Sequence, residues 1–391
     1  MFNKEAGNMK FGLRCPIFWA TGAAMVCLLG VLSARVTAGQ APPEQAPLMT
    51  ENVFKNIQVL KGMPVDTFFD VMGMFAASMG DDCTYCHSKQ AVFNHEAFGD
   101  PTPKILKARQ MIAMMKTIND NFFGGTPRVT CFTCHRGSNS PVNAPILALQ
   151  YGPPEDDPNV MVFPPDDRVT ADQILDKYFA ALGGAAQLAK LSSFTAKGTY
   201  EGFDTAAKEV PVEIFAKAPN QRTWIIHMMD GDSYRVFNGS NGWFAGPDSP
   251  APLLSLTSGN LDRYRLEALA AFPAGIKQAF RRWRVGRTAI DGRGVTILQG
   301  SNAGLLPVNL YFDDKSGLLV RLVRWNDTVV GPVPTEINYD DYRDVAGVKM
   351  PFTWTVSQTY MQMTIKLSAI QPNVPIDPAK FARPAPAKRR S

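Results

Sequence analysis

Apolar residues recur at three- and four-residue intervals in two stretches of the first 150 positions. Val65, Phe68, Phe69, Met72, Phe75, Ala76 and Met79 follow Pro64, which suits a first helical turn, and the run stops at Gly80. Ile105, Met111, Met114, Met115, Ile118 and Phe122 follow the capping residue Thr102 and Pro103, and stop at Gly124-Gly125. Each pattern predicts an amphipathic helix. Past residue 168 the period changes. Thr170 can cap a helix from Ala171 to about Leu182, ended by Gly183-Gly184, and short helices follow through Leu191 and around Leu261 to Ala271. Most of the remainder is β-branched and aromatic: Phe194 to Phe203, Val210 to Ala216, Thr223 to Met229, Ser233 to Phe237, Val295 to Gly300, Val308 to Phe312, Leu318 to Trp325, Glu336 to Tyr342, Phe352 to Gln358 and Met361 to Ile370. Asp230-Gly231, Asn238-Gly239 and Asn241-Gly242 are turn signals between such runs. The pattern predicts an α+β, two-domain chain. A mainly α-helical module occupies 39–150, a proline- and acid-rich linker 151–168, and a mostly antiparallel β domain with an N-terminal helix 169–384. A basic tail, 385–391, ends the chain and is expected to fray.

The first 38 residues read differently. Lys4, Lys10 and Arg14 precede an apolar run from Ile17 to Leu32, and Val36-Thr37-Ala38 offers small residues for cleavage before Gly39. This predicts a cleavable signal peptide over 1–38 and a periplasmic protein; an uncleaved leader would instead hold it at the membrane. The formal net charge of +5 then loses its meaning as a hint of a polyanionic partner. The leader holds Lys4, Lys10, Arg14 and Arg35 against Glu5, leaving +2 for the rest, so no nucleic acid partner is expected. Arg281, Arg282, Arg284 and Arg287 read as a solvated face.

Export matters because thiols outside the cytoplasm tend to oxidise. Of six cysteines, Cys15 and Cys27 lie in the leader. The other four fall as Cys83-Thr84-Tyr85-Cys86-His87 and Cys131-Phe132-Thr133-Cys134-His135, two copies of the C-x-x-C-H sequence that attaches c-type haem. Two thiols at this spacing reach the two vinyl groups of one porphyrin, and the adjacent histidine becomes the proximal iron ligand. A zinc ribbon would close over about 15–20 residues, whereas 44 residues, 87 to 130, separate Cys86 from Cys131. A thioredoxin-like dithiol would not explain a histidine after both copies. Two covalently bound c-type haems are therefore expected, held by Cys83, Cys86, Cys131 and Cys134, with His87 and His135 on iron.

The sixth ligand decides the chemistry, since methionine opposite histidine raises the potential and closes the iron. Met72 and Met111, on the two predicted helices, are the candidates. Periodicity alone does not choose among the methionines, and Met74, Met79, Met114 and Met115 read better as core filling. His95, eight residues past His87, reads better as a loop residue than as a ligand.

These residues resemble the cytochrome c subunit of photosynthetic reaction centres over about 50–140. The resemblance rests on Phe69-Asp70-Val71-Met72 leading to the first motif, and on Arg109-Gln110-Met111-Ile112-Ala113-Met114, Ile118-Asn119 and Val129-Thr130 leading through the second to Arg136-Gly137. It implies that Met72 and Met111 are the axial ligands. It also implies electron donation in the periplasm, with a membrane redox complex or a small soluble electron-transfer protein as partner. The family subunit carries four haems and this chain has motifs for two. The remaining histidines, His95 and His227, do not lie where the family places its second histidine ligand.

From 169 to 372 the order of helix and meander, with Asn241-Gly242-Trp243 and Tyr339-Asp340-Asp341-Tyr342 before Gly347-Val348-Lys349-Met350-Pro351, resembles periplasmic lipoprotein carriers of the LolA type. That likeness implies a curved sheet with room for an apolar ligand; a plain structural or docking domain is the alternative. No catalytic constellation stands out, and His227 reads as isolated. The leading expectation is an electron carrier rather than an enzyme. A peroxidase-like haem enzyme with one open iron and a haem-linked lipid-binding or sensor protein are the alternatives.

Overall fold

The computed structural model describes residues 46–152, 166, 168–247 and 249–388. The leader, 153–165 and 167 of the expected linker, and the last three residues lie outside the described residues. The described residues gather into one compact unit.

The N-terminal part contains α1 (Thr50–Val53), α2 (Val65–Met79), α3 (Pro103–Phe123), α4 (Cys131–His135) and α5 (Leu147–Tyr151). The two long helices begin and end where their patterns predict. Pro64 is the N-cap of α2, and Gly80 closes it in the left-handed conformation at φ 66°. The Thr102 hydroxyl accepts from the Ile105 amide at the start of α3, and Gly124 closes it at φ 60°.

The C-terminal part holds α6 (Ala171–Ala181), α7 (Ala185–Leu188) and α8 (Ser258–Ala271) with thirteen strands. They are β1 (Ser193–Gly202), β2 (Val210–Lys217), β3 (Gln221–Met228), β4 (Gly231–Phe237), β5 (Gly242–Ala245), β6 (Leu254–Ser255), β7 (Arg282–Ile290), β8 (Arg293–Ser301), β9 (Val308–Asp313), β10 (Leu319–Thr328), β11 (Gly331–Val345), β12 (Val348–Gln358) and β13 (Gln362–Pro372). Every pairing is antiparallel, in the order β6-β5-β4-β3-β2-β1-β13-β12-β11-β10-β9-β8-β7. Two meanders are thus joined where the first strand meets the last. One apolar cluster takes Leu175, Tyr178 and Phe179 from α6, Leu188 from α7 and Leu266 from α8. It adds strand residues from both meanders, such as Ile214, Leu310 and Ile365, so the sheet wraps around its helices. The architecture is α+β, as the patterning predicts.

Sequence patterning passed over β5, β6 and β7. In β7 the arginines expected on a solvated face alternate with Trp283 and Val285, which pack against the main cluster, while Arg282 and Arg284 stay exposed. The basic tail does not fray before Lys388: the Ala387 amide donates to the Pro252 carbonyl at 2.8 Å.

Helix α2 is built into the β part. Leu60, Met63, Val71, Met74 and Met115 share a cluster with Val330 and Val333 from the β10–β11 hairpin. Val65 shares another with Ala251 and Leu254. Burying each Val or Leu side chain contributes about 1.5–3 kcal/mol, so the two sets fix α2 against the sheet. Among the described residues no helix is long and apolar enough to cross a membrane.

Candidate haem-binding site

The first motif folds as a tight turn. The Asp82 carboxylate accepts from the Thr84 amide and hydroxyl at 2.8 and 2.6 Å, starting a 3-10 turn over Cys83–Tyr85. The His87 amide then donates to the Cys83 carbonyl at 3.0 Å. That bond folds the pentapeptide back on itself, with His87 one turn on from Cys83. Lys104, in the first turn of α3, lies 3.3 Å from the centre of the Tyr85 ring.

The second motif is itself the helix α4. Thr130 and Thr133 cap it reciprocally, each hydroxyl accepting from the other's amide at 3.2 and 3.0 Å. Asn119, buried on α3, ties down the segment before it, donating to the Val129 carbonyl at 2.8 Å and accepting from the Arg128 and Val129 amides at 3.0 and 2.9 Å. Beyond it, the Gly137 amide donates to the Ser78 carbonyl at 3.0 Å, and a Cβ on Gly80 would strike the Gly137 carbonyl. The end of α2 and the second motif therefore pack backbone to backbone, which only glycine at position 80 permits.

Both motif histidines are set in the same way. His87 Nδ1 lies 2.9 Å from the Phe98 carbonyl, and His135 Nδ1 lies 3.0 Å from the Ser138 carbonyl. A carbonyl can only accept, so each Nδ1 carries the proton and each Nε2 is left as the lone-pair donor, the arrangement of a metal-ligating histidine. Burial holds His87 below the usual histidine range, favouring the neutral imidazole that iron requires. All four thiols are free. Burial pushes Cys131 up to about 11 and also raises Cys83 and Cys86, so these sulfurs stay as thiols rather than thiolates. Among the described residues no three His, Cys, Asp or Glu side chains converge as ligands to one ion, and the two thiol pairs belong to separate sites.

The helix faces complete the picture. Helix α2 buries Thr67, Asp70, Val71, Gly73, Met74 and Ser78 against protein, and leaves Phe68, Met72, Phe75 and Met79 half-buried. Met111 is likewise half-buried on α3. Met74 and Met115 are buried in the cluster under α2 and fill core. Met114 is 48% exposed and fills none. His95 is exposed, with its ring 6.2 Å from that of Phe98. Two free thiols, a histidine with a bare Nε2 and a half-open apolar helix face suit a covalently held porphyrin in each motif. When bound, a haem supplies a one-electron ferric/ferrous couple there.

Sequence reasoning missed the carbonyls of Phe98 and Ser138, which no side-chain pattern announces. It also missed the partners of His227. That ring lies between Asp232, at 2.8 Å from Nδ1, and Glu213, at 3.8 Å from Nε2, because the β3–β4 register sets His227 opposite Asp232. It is thus set between two carboxylates, Asp232 on the neighbouring strand β4 and Glu213 on β2, and is not an isolated histidine. The apolar ligand expected in the β module gains no support from the space between the sheet and its helices; a larger groove of about 710 Å³ lies on β3 and β4 beside residues 379–388. The cavity inside the sheet measures about 60 Å³ and is lined by Tyr178, Leu182, Trp354 and the Arg222–Glu267 ion pair. Aromatic and aliphatic side chains of the main cluster fill most of the space there.

The fold and site together place two C-x-x-C-H motifs, each suited to a c-type haem, on a helical module built onto an antiparallel β module. Residues 30–158 match the family model described as photosynthetic reaction centre cytochrome C subunit. The chain is 32% identical over 108 residues to the photosynthetic reaction center cytochrome c subunit of Roseobacter denitrificans, covering 25% of this chain and 28% of that protein. It is 31% identical over 98 residues to the same subunit of Thermochromatium tepidum, covering 21% and 24%. The chain thus spans about a quarter of the length of these curated relatives. Among solved structures, a LolA superfamily protein from Nitrosomonas europaea covers 55% of this chain and 98% of its own at 13% identity, with a TM-score of 0.37. A DUF1329 family protein from Desulfovibrio piger covers 54% and 96% at 11% identity, with a TM-score of 0.36.

Proposed function

We propose that the chain is a dihaem c-type electron carrier of the periplasm, exported by its leader and passing single electrons to a membrane redox complex or a small soluble electron-transfer protein. Cys83, Cys86 and His87 hold one haem, and Cys131, Cys134 and His135 the other, with Met72 and Met111 as sixth ligands. The observation that carries this reading is the matched setting of His87 and His135, each with Nδ1 on a backbone carbonyl and Nε2 left bare beside two free thiols. The chain's contribution is to orient: the carbonyls fix the ring planes, and the helix faces exclude water from one side of each porphyrin. Methionine sulfur as sixth ligand would close each iron and favour transfer over oxygen chemistry.

The test is the ferric spectrum of the protein matured with its haems. A sulfur-to-iron absorption band from both haems supports the carrier, and Met72→Ala and Met111→Ala should each remove one haem's share and lower that haem's potential. A high-spin iron that binds cyanide rapidly in the unsubstituted protein would instead make this a haem enzyme.

A further inference from the structure

Asp70 is the most deeply buried carboxylate of the helical module, at 3% exposure, and it sits two residues before Met72. Its Oδ2 accepts from Asn326 Nδ2 of β10 at 2.6 Å and from Asn260 Nδ2 of α8 at 2.9 Å. Those partners lie 256 and 190 residues away in sequence and are themselves buried. One turn earlier, Asp66 accepts from the Thr257 amide and hydroxyl at 2.6 and 2.9 Å, and its carbonyl accepts from Asn260 at 3.1 Å. One turn later, a Cβ on Gly73 would run into the Thr359 hydroxyl and lie 2.8 Å from the Tyr360 ring. Positions 66, 70 and 73 form one stripe, so three successive turns of α2 are clamped along a single line.

A buried carboxylate is costly to desolvate, and an apolar contact would join helix to sheet at least as well. What hydrogen bonds add is direction: two amides converging on one oxygen define a rotation of the helix about its axis, which sliding apolar contacts do not. Two residues further on, about 200° round the helix, Met72 lies on the half-open side. A rotation of α2 by a few tens of degrees would carry the Met72 sulfur off its line.

We propose that Asp70 is a positioning residue for Met72: held by Asn260 and Asn326, it sets the rotation of α2 and so presents the methionine sulfur to the iron. The inference rests on the reading of Met72 as an axial ligand. It makes the β module part of the haem site, through residues that never touch the porphyrin.

The experiment compares five variants of the full, haem-loaded chain by the ferric sulfur-to-iron band and the two midpoint potentials. Asp70→Ala and Asn326→Ala should each weaken the band by up to one haem's share, about half the total, and lower one potential while leaving the other. Asp70→Asn should restore the band, because an asparagine there can still accept one amide and can donate to Asn326 Oδ1, which is buried without a partner. Leu254→Ala, which loosens the apolar contact at the start of α2, should lower thermal stability and leave both haems unchanged. Should Asp70→Ala and Asn326→Ala behave like Leu254→Ala while Met72→Ala removes one haem's band, Asp70 is a structural anchor and the proposal fails alone. Should Met72→Ala leave both haems unchanged, the ligand reading fails and takes the proposal with it.

Discussion

Helices α2 and α6 are both amphipathic, and they use their two faces in opposite ways. Helix α6 turns Leu175, Tyr178 and Phe179 into the core and leaves Asp172, Gln173, Asp176 and Lys177 in solvent. Helix α2 buries Asp70, Thr67 and Ser78 alongside Val71 and Met74, and keeps Phe68, Met72 and Phe75 half open. The first pattern is complete as polypeptide. The second buries a carboxylate through hydrogen bonds and leaves part of an apolar stripe open, although Phe68, Met72 and Phe75 also touch the cluster beneath the helix. A planar porphyrin tethered by the neighbouring thiols would cover the open part.

The contrast can be broken by substitution, and the largest effect should fall on the cofactor. Cys131→Ser combined with Cys134→Ser should cost one whole haem in the intact mass and leave the first motif loaded; loss of both haems would show that the two sites are not separate. In the β module, Leu175→Ala should destabilise by about 2–5 kcal/mol in chemical denaturation without moving either haem potential, because its surroundings are all protein. Phe75→Ala makes the sharper comparison. It should cost less than Leu175→Ala in haem-free protein and approach it once haem is attached, and equal costs in both forms would mean that nothing covers that face.

A smaller effect concerns pH. Burial pushes Asp66 from 3.8 up to about 6, against the bonds from Thr257 that pull it down. Folded protein therefore holds this proton more tightly than unfolded protein does. The group favours folding most below pH 4, and that benefit is lost as pH rises from 3.8 to about 6, by up to about 3 kcal/mol. Asp66→Asn should flatten that part of the stability profile; an unchanged slope would assign it to another group. Smallest of all, Thr130→Ala removes the cap of α4 and should cost about 1 kcal/mol, seen as a modest shift in melting.

Much of this was legible in the sequence where the signal is local. Thr102, Thr170 and the closing glycines at 80 and 124 mark helix ends by their own chemistry, and the long strands of the sheet announce themselves by β-branched runs. The thiols and motif histidines needed no structure at all. Hidden were contacts that depend on register or on distant chain. The pair His227–Asp232 exists only through the β3–β4 pairing. Strand β7 disguises itself because arginine alternates with its apolar residues. Asn326 and Asn260 meet Asp70 across 256 and 190 residues of sequence. Gly73, which reads as a weak point in a helix, is what lets α2 approach Thr359 and Tyr360.

The central claim is that each pentapeptide carries its own iron porphyrin through thioether bonds. Intact-mass analysis of the denatured chain, after expression with a cytochrome maturation system, tests it most directly. Two haems should remain on the polypeptide through acidified organic solvent, and a colourless chain of bare polypeptide mass would contradict the account.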